Sequence, residues 1–175
     1  MIDNQELVFV VDENNDPLQP QLRSNAHKNN LWHRTSGIWI INRNKQILCQ
    51  KRSLKKDTKP GMWEAFFGGH IAPDEDAILN AANEVNEELG IRIDKNKLVS
   101  YKIIKSDEPD HKEFQHIFAL LLHEELTTFA FEKDEIDQLQ WISINDLKEI
   151  LMNKKPLQWV RKPWEEDILN WLLLL

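Results

Sequence analysis

The apolar positions along the chain change period near its middle. Before residue 72 they come in short runs separated by turn residues. Glu6 to Asp12 (ELVFVVD) is closed by Asn14-Asn15-Asp16-Pro17, Ser36 to Ile41 (SGIWII) and Gln46 to Arg52 (QILCQKR) flank Asn42-Arg43-Asn44-Lys45, and Trp63 to Phe67 runs into Gly68-Gly69. Short runs rich in β-branched and aromatic residues, bounded by Asn, Asp, Pro and Gly, predict strands, and the middle two predict a hairpin. The polar stretch from Leu18 to Asn30 predicts a loop with room for a short helix. Lys55-Lys56-Asp57-Thr58-Lys59-Pro60-Gly61 predicts a basic loop closed by a Pro-Gly turn.

From Pro73 the period becomes about 3.6. Ala77, Ile78, Ala81, Ala82, Val85 and Leu89 fall on one helical stripe, Asp74 is placed to cap the N-terminus, and Gly90 stands just past the last turn. Strands are predicted again at Val99 to Lys105, Phe114 to His123 and Leu139 to Ile142, then helices at Asn145 to Met152 and Pro163 to Leu174. Strands, a central helix, more strands and terminal helices predict an α/β (α+β) fold on a mixed sheet. No internal repeat or linker interrupts the pattern. A length of 175 residues suits one domain over residues 1–175.

Composition narrows the function classes. An apolar share of 41% with 29% charged residues is that of a globular chain. A formal charge of −7 argues against a partner of duplex nucleic acid, which needs clustered Lys and Arg to neutralise phosphates. The single cysteine, Cys49, suits a reducing compartment, and Met1 to Glu6 lacks the basic and apolar regions of a signal peptide, so a cytoplasmic location is expected. The longest apolar run, Trp171 to Leu175, is too short to span a membrane. The apolar segment Ile168 to Leu175 packs either on its own domain or on a second copy, which would make a homodimer. Seven tryptophans against one tyrosine suit either a wide core or a pocket for a flat or apolar ligand.

The chemistry lies on the helix. Glu84 stands four residues from Glu88 and three from Glu87, so the three carboxylates share the face opposite the apolar stripe. Like charges at these spacings cost roughly 0.2–0.5 kcal/mol per pair. A solvated acidic face is the ordinary meaning of such a pattern. The chemical meaning is a hard divalent cation, since Mg²⁺ is held by one or two carboxylates together with substrate phosphates. Gly68-Gly69, ahead of the helix, permits a close backbone approach that would add a carbonyl ligand.

Gly69 to Ile91 resembles the Nudix box, G-x5-E-x7-R-E-U-x-E-E-x-G-U with U a bulky aliphatic. Eight of its nine specified positions are met, by Gly69, Glu75, Glu84, Val85, Glu87, Glu88, Gly90 and Ile91. The departure is Asn83, where the family has an Arg that pairs with box carboxylates and orients them. The resemblance implies a Nudix fold, a mixed β-sheet sandwiched between helices. It also implies a Mg²⁺- or Mn²⁺-dependent hydrolase that cleaves a diphosphate linkage in a small molecule, either a nucleoside diphosphate derivative or a prenyl-type diphosphate.

A looser similarity covers about residues 6 to 165. Trp32-His33-Arg34, Gln50-Lys51-Arg52-Ser53 with Lys55-Lys56, Pro60-Gly61-Met62-Trp63, Gly69-His70 and Lys162-Pro163-Trp164 resemble isopentenyl-diphosphate isomerase and its Nudix relatives. Those isomerases carry a cysteine immediately before the Gly-His pair and hold a metal with histidines and glutamates. Here Gly68 occupies the cysteine position and Glu84, the hydrolase glutamate, is present. Isomerase-like chemistry and a non-catalytic ligand-binding module are the alternatives to hydrolysis.

The roles implied by the resemblance are these. Glu84, Glu87, Glu88 and the Gly68 carbonyl hold the metal, and one of the glutamates orients or deprotonates water. Glu113 is a further metal ligand or base, or else a solvated loop acid. Arg52 and Lys56 are implied to bind the diphosphate. His33 and His70 match metal-binding positions of the isomerases, with His27 close to another, and Trp164 matches a pocket tryptophan. Trp159 and the segment Leu18 to His33 are expected beside Trp164 on the pocket wall.

Overall fold

The computed structural model describes residues 6–56, 58–109, 111–122 and 129–175; Met1, Asp57 and His123, named above, lie outside the described residues. In chain order the elements are β1 (Leu7–Val8), β2 (Gln21–Leu22), α1 (Arg23–Lys28), β3 (His33–Asn42), β4 (Gln46–Arg52), β5 (Trp63–Glu64) and α2 (Ala77–Leu89). A 3₁₀ turn, Lys95–Lys97, leads into β6 (Leu98–Glu108), β7 (His111–Leu122), β8 (Ile136–Ser143), α3 (Ile144–Leu151) and α4 (Glu165–Leu172).

The main sheet runs β5-β4-β3-β7-β6, with β8 also pairing with β4. It is mixed, because β3 and β7 run parallel while the other pairs are antiparallel. Strand β3 is buried on both faces, which explains why its run is continuously apolar instead of alternating. Ile38 and Ile40 face α2, where Ala81, Ala82, Val85 and Leu89 bury the helical stripe. Trp39 and Ile41 face the opposite layer, where Leu147 and Ile150 of α3 and Ile168, Leu169 and Leu172 of α4 close a second core. The expected sandwich of a mixed sheet between helices is present, and α4 packs on its own chain. Among the described residues no helix is long and apolar enough to cross a membrane.

Several boundaries move, each for a local reason. The helix expected from Pro73 begins at Ala77, because the Asp76 carboxylate accepts the Ile78 N–H at 2.9 Å and Asp74, the expected cap, sits in a turn at φ +66°. Gly90 ends the helix as expected, at φ +69°. The run Glu6 to Asp12 yields only the two-residue β1, beyond which Val10 and Val11 make isolated bridges to His33 and Pro17. The polar stretch after Pro20 holds β2 and the single-turn-length α1. The strand expected at Trp63 to Phe67 pairs with β4 for two residues only, since Phe67 then crosses to bridge Ile38 of β3.

Tryptophan serves the core more than the surface. Trp39, Trp63, Trp159 and Trp164 are buried in the layer that holds α3 and α4, and Trp171 stacks on Tyr101 with centroids 4.4 Å apart. The segment ahead of α4 is pinned twice. The Val160 N–H donates to the Trp63 carbonyl at 2.8 Å, and Glu165, 1% exposed, accepts from Trp159 Nε1 and the Lys162 N–H, both at 2.9 Å.

Burial pushes the Glu165 carboxyl up to about 7, against the pull of those two hydrogen bonds. A carboxyl whose folded value is raised contributes stability that is complete below its unfolded value, 4.5, and lost as the pH rises through 7. The melting temperature of the protein minus that of Glu165→Gln should therefore fall between pH 4.5 and 7 and stay level above. A difference that does not change with pH would show that Glu165 is ionised throughout.

Candidate active site

The site is organised by a two-glycine irregularity alongside β3. Phe67 and His70 pair antiparallel with Ile38 and Thr35, and the Ser36 N–H donates to the Gly69 carbonyl at 2.9 Å. Between these anchors Gly68 adopts φ +145°, and a Cβ built there would lie 2.1 Å from the Ser36 carbonyl oxygen. Only glycine fits. Among the described residues no hydrogen bond reaches the Gly68 carbonyl, which leaves that oxygen available to a cation. Gly69 is constrained from the other side: a Cβ there would lie 2.4 Å from Glu84 Oε1, so the carboxylate rests directly on the Gly69 backbone.

Buried Asn80 of α2 ties this loop to the helix. It accepts from Ser36 Oγ at 2.6 Å and donates to the His70 carbonyl at 3.1 Å and to Glu75 at 3.0 Å. Asn83, at the position where the box has Arg, donates to Glu75 at 3.2 Å. It therefore orients Glu75 and brings no charge to Glu84, Glu87 or Glu88.

The three helix glutamates differ in setting. Glu87 is exposed. Glu84 is half-buried, and burial followed by the neighbouring charge of Glu87 raises its pKa to about 7. The Glu88 carboxyl is held well above the usual carboxylate range by burial, then by Glu84, Glu64 and Glu135, and among the described residues its buried Oε2 has no hydrogen-bond partner. Carboxylates crowded in this way repel one another until a cation is added, and an all-oxygen donor set with a bare carbonyl beside it suits a hard divalent ion. The chain's own residues fit such an ion.

Glu88 opens into a small cavity of about 80 Å³ shared with Glu64, Glu135, Arg52, Lys56 and Gly68. Arg52 donates to Glu64 at 2.8 Å and to the Thr58 carbonyl at 3.0 Å, while Lys56 is paired with Glu135. Glu64 is buried, and burial raises its pKa although the Arg52 charge lowers it. The two cations expected from the sequence thus stand beside the helix glutamates. Two acids not singled out in the sequence, Glu64 and Glu135, stand with them. Glu64 left a trace, an acid inside the apolar run Trp63 to Phe67. Glu135 left none, since only the pairing of Arg52 with Ile136 across β4 and β8 delivers it.

A second cavity of about 450 Å³ adjoins the first, and Arg52, Glu64, Phe66 and Gly68 line both. Beside it His27, His33 and His70 bring three ring nitrogens within 4.8 Å of one another, with His27 and His70 on the cavity wall. His27 Nε2 lies 3.0 Å from His70 Nε2, and His33 Nε2, buried without a hydrogen bond, lies 3.8 Å from Glu113. Burial and then the neighbouring imidazoles lower His27 to about 4, and burial lowers His33. Neutral rings are the ligand form of histidine, and imidazoles with one carboxylate suit a transition-metal ion. Glu113 therefore faces the histidines and not the helix glutamates.

Trp164 is placed differently from the expectation. It is buried behind Phe66, ring centroids 6.3 Å apart, and is absent from the cavity wall, as is Trp159. Phe66 presents the aromatic surface there, since the tryptophan is needed to fill the core against α4. Of the segment Leu18 to His33, Arg23 and His27 reach the wall of this cavity.

A model of the NUDIX domain family matches residues 31–166. An uncharacterised Nudix hydrolase of Clostridium acetobutylicum is 31% identical over 157 residues, 86% of this chain and 76% of the relative. An isopentenyl-diphosphate Delta-isomerase of Brevibacterium linens is 25% identical over 162 residues, covering 91% of this chain and 87% of the relative. Among solved structures, a protein from Deinococcus radiodurans superposes with a TM-score of 0.69 at 17% identity, covering 95% of this chain and 99% of that one. At that identity the likeness is one of fold.

Proposed function

The chain belongs to the NUDIX domain family, and from that premise we propose that it hydrolyses the diphosphate linkage of a small organic molecule with a divalent cation, Mg²⁺ or Mn²⁺. The observation that carries this reading is the Glu84 carboxylate seated against Gly69 while Gly68 and Glu88 line one small cavity, with a buried Glu88 oxygen that among the described residues has no hydrogen-bond partner. The cation, when bound by Glu84, Glu87, Glu88 and the Gly68 carbonyl, neutralises charge on the phosphates and acidifies water.

The chain's residues supply the rest. Arg52 and Lys56, held in place by Glu64 and Glu135, turn their remaining donors toward phosphoryl oxygens. One of the helix glutamates orients the attacking water or accepts its proton. Water adds to one phosphorus as the bridging oxygen leaves, so R-diphosphate and water give R-phosphate and orthophosphate.

Isomerisation of isopentenyl diphosphate is the second reading, and the histidine cluster with Glu113 favours it. Gly68 counts against it, because the isomerases' cysteine has no space on this backbone. The two are separated by incubating the protein and Mg²⁺ with isopentenyl diphosphate and following both orthophosphate and double-bond position. Orthophosphate without a shifted double bond is expected. A shifted double bond with no orthophosphate would reverse the order of the two readings.

A further inference from the structure

The ion pair Glu108–Lys162 occupies the larger cavity with no part in the chemistry above. The Lys162 side chain is 10% exposed, and its Nζ lies 2.7 Å from Glu108 Oε1. Ser106 Oγ reaches the same oxygen at 3.4 Å, and among the described residues Glu108 Oε2 takes no hydrogen bond. The pair joins the end of β6 to the segment before α4, residues 54 apart in sequence. Lys162 is fixed from behind, through its own N–H on buried Glu165 and through Val160 on Trp63. Phe66 lines the same cavity and is shared with the small cavity of the helix glutamates. The larger cavity adjoins the small one at Phe66, and Glu108 and Lys162 are on its wall, where the organic part of a molecule with its phosphates at the glutamates would lie.

We propose that Glu108 and Lys162 read vicinal hydroxyl groups on that organic part, so that a diphosphate bearing a sugar is preferred to one bearing an isoprenoid. This rests on the reading of the helix glutamates as the diphosphate site. The chemistry is one of satisfaction. An alkyl tail entering the cavity strips water from Glu108 Oε2 and from the lysine without replacing its hydrogen bonds. A vicinal diol donates to both carboxylate oxygens and accepts from the ammonium, leaving each group paired. The flat face of Phe66 meets the C–H face of a sugar ring equally well as it would an alkyl chain, so the aromatic does not discriminate. The ion pair does.

The test compares orthophosphate release, with Mg²⁺, from three probes: ribose 5-diphosphate, 2,3-dideoxyribose 5-diphosphate and isopentenyl diphosphate. The protein should favour the diol over the dideoxy compound by about 100-fold in kcat/KM, the effect of leaving a half-buried charged pair without its hydrogen bonds. Isopentenyl diphosphate should fall with the dideoxy compound. Glu108→Gln, nearly isosteric, and Lys162→Met should each bring the ratio below about fivefold. A pair that merely clamps β6 to the segment before α4 would lower both rates together and leave the ratio unchanged, which overturns the proposal. So does a wild-type ratio near one, or no release from ribose 5-diphosphate. Glu88→Gln separates the two layers of the argument: if it leaves every rate unchanged, the diphosphate site itself has been misplaced.

Discussion

Replacing Glu88 by Gln is expected to lower turnover of a diphosphate substrate about a thousandfold, roughly 4 kcal/mol of transition-state stabilisation, with no loss of thermal stability. The two halves of that expectation have one cause. In the cation-free protein Glu88 is a carboxyl enclosed among Glu84, Glu64 and Glu135, with an Oε2 that no described residue satisfies. Such a group opposes folding when ionised and is retained for what it binds. Gln removes the charge, keeps the volume, and offers an amide N–H₂ to the surrounding acids, so the melting temperature at pH 8 should stay level or rise. Thermal melts and steady-state kinetics on the same preparations decide the matter. A variant that loses activity only because it unfolds would give Glu88 a structural role, and one that keeps full activity would remove it from the site.

Gly68→Ala is the second large effect, and it acts on the fold. At φ +145° any side chain is strained, by about 1–3 kcal/mol, and its Cβ would stand 2.1 Å from the Ser36 carbonyl oxygen. Ser36 cannot retreat freely, because its N–H is held by Gly69 and its hydroxyl by Asn80. Overpacking against fixed backbone adds a similar amount, so the total loss should be about 2–6 kcal/mol. Gly37→Ala is the comparison on the adjoining strand, since its Cβ meets only the flexible tip of Ile117, at 3.3 Å. Chemical denaturation of the two variants should separate them clearly. Equal stabilities would mean that the segment Phe67 to His70 is free to move off β3. The same geometry bears on evolution of the site: Gly68→Cys alone should give no isomerase, because the backbone must shift before sulfur fits.

Much of the site was legible because its chemistry is local. Glu84, Glu87 and Glu88 lie within five residues on one helix, and a period of 3.6 suffices to put them on one face. Gly69 and Gly90 bracket that helix, and their roles follow from backbone sterics. What stayed hidden arrives through pairing between distant segments. Glu135 reaches Lys56 only through the register of β4 with β8, and Lys162 reaches Glu108 only because α4 folds back beneath the sheet. Trp164 shows the opposite limit. Its residue type suits a pocket as well as a core, and only the position of Phe66 in front of it tells the two apart. The helix start was misplaced for a similar reason: Asp74 and Asp76 are equally good caps, and Asp76 is the one whose carboxylate meets the Ile78 N–H.

A divalent-cation site formed by Glu84, Glu87, Glu88 and the Gly68 carbonyl, as proposed, makes diphosphate hydrolysis depend on both the cation and Glu88. A direct measurement is phosphate release from a panel of nucleoside diphosphate derivatives, sugar diphosphates and prenyl diphosphates, with alkaline phosphatase added after the reaction to free phosphate from phosphomonoester products, run on EDTA-treated protein and repeated across a Mg²⁺ titration. No release is expected in EDTA, with a saturable rise with Mg²⁺ for at least one member of the panel and loss of that rise in Glu88→Gln. Release that proceeds equally in EDTA, or a Mg²⁺ response undiminished in Glu88→Gln, would contradict it.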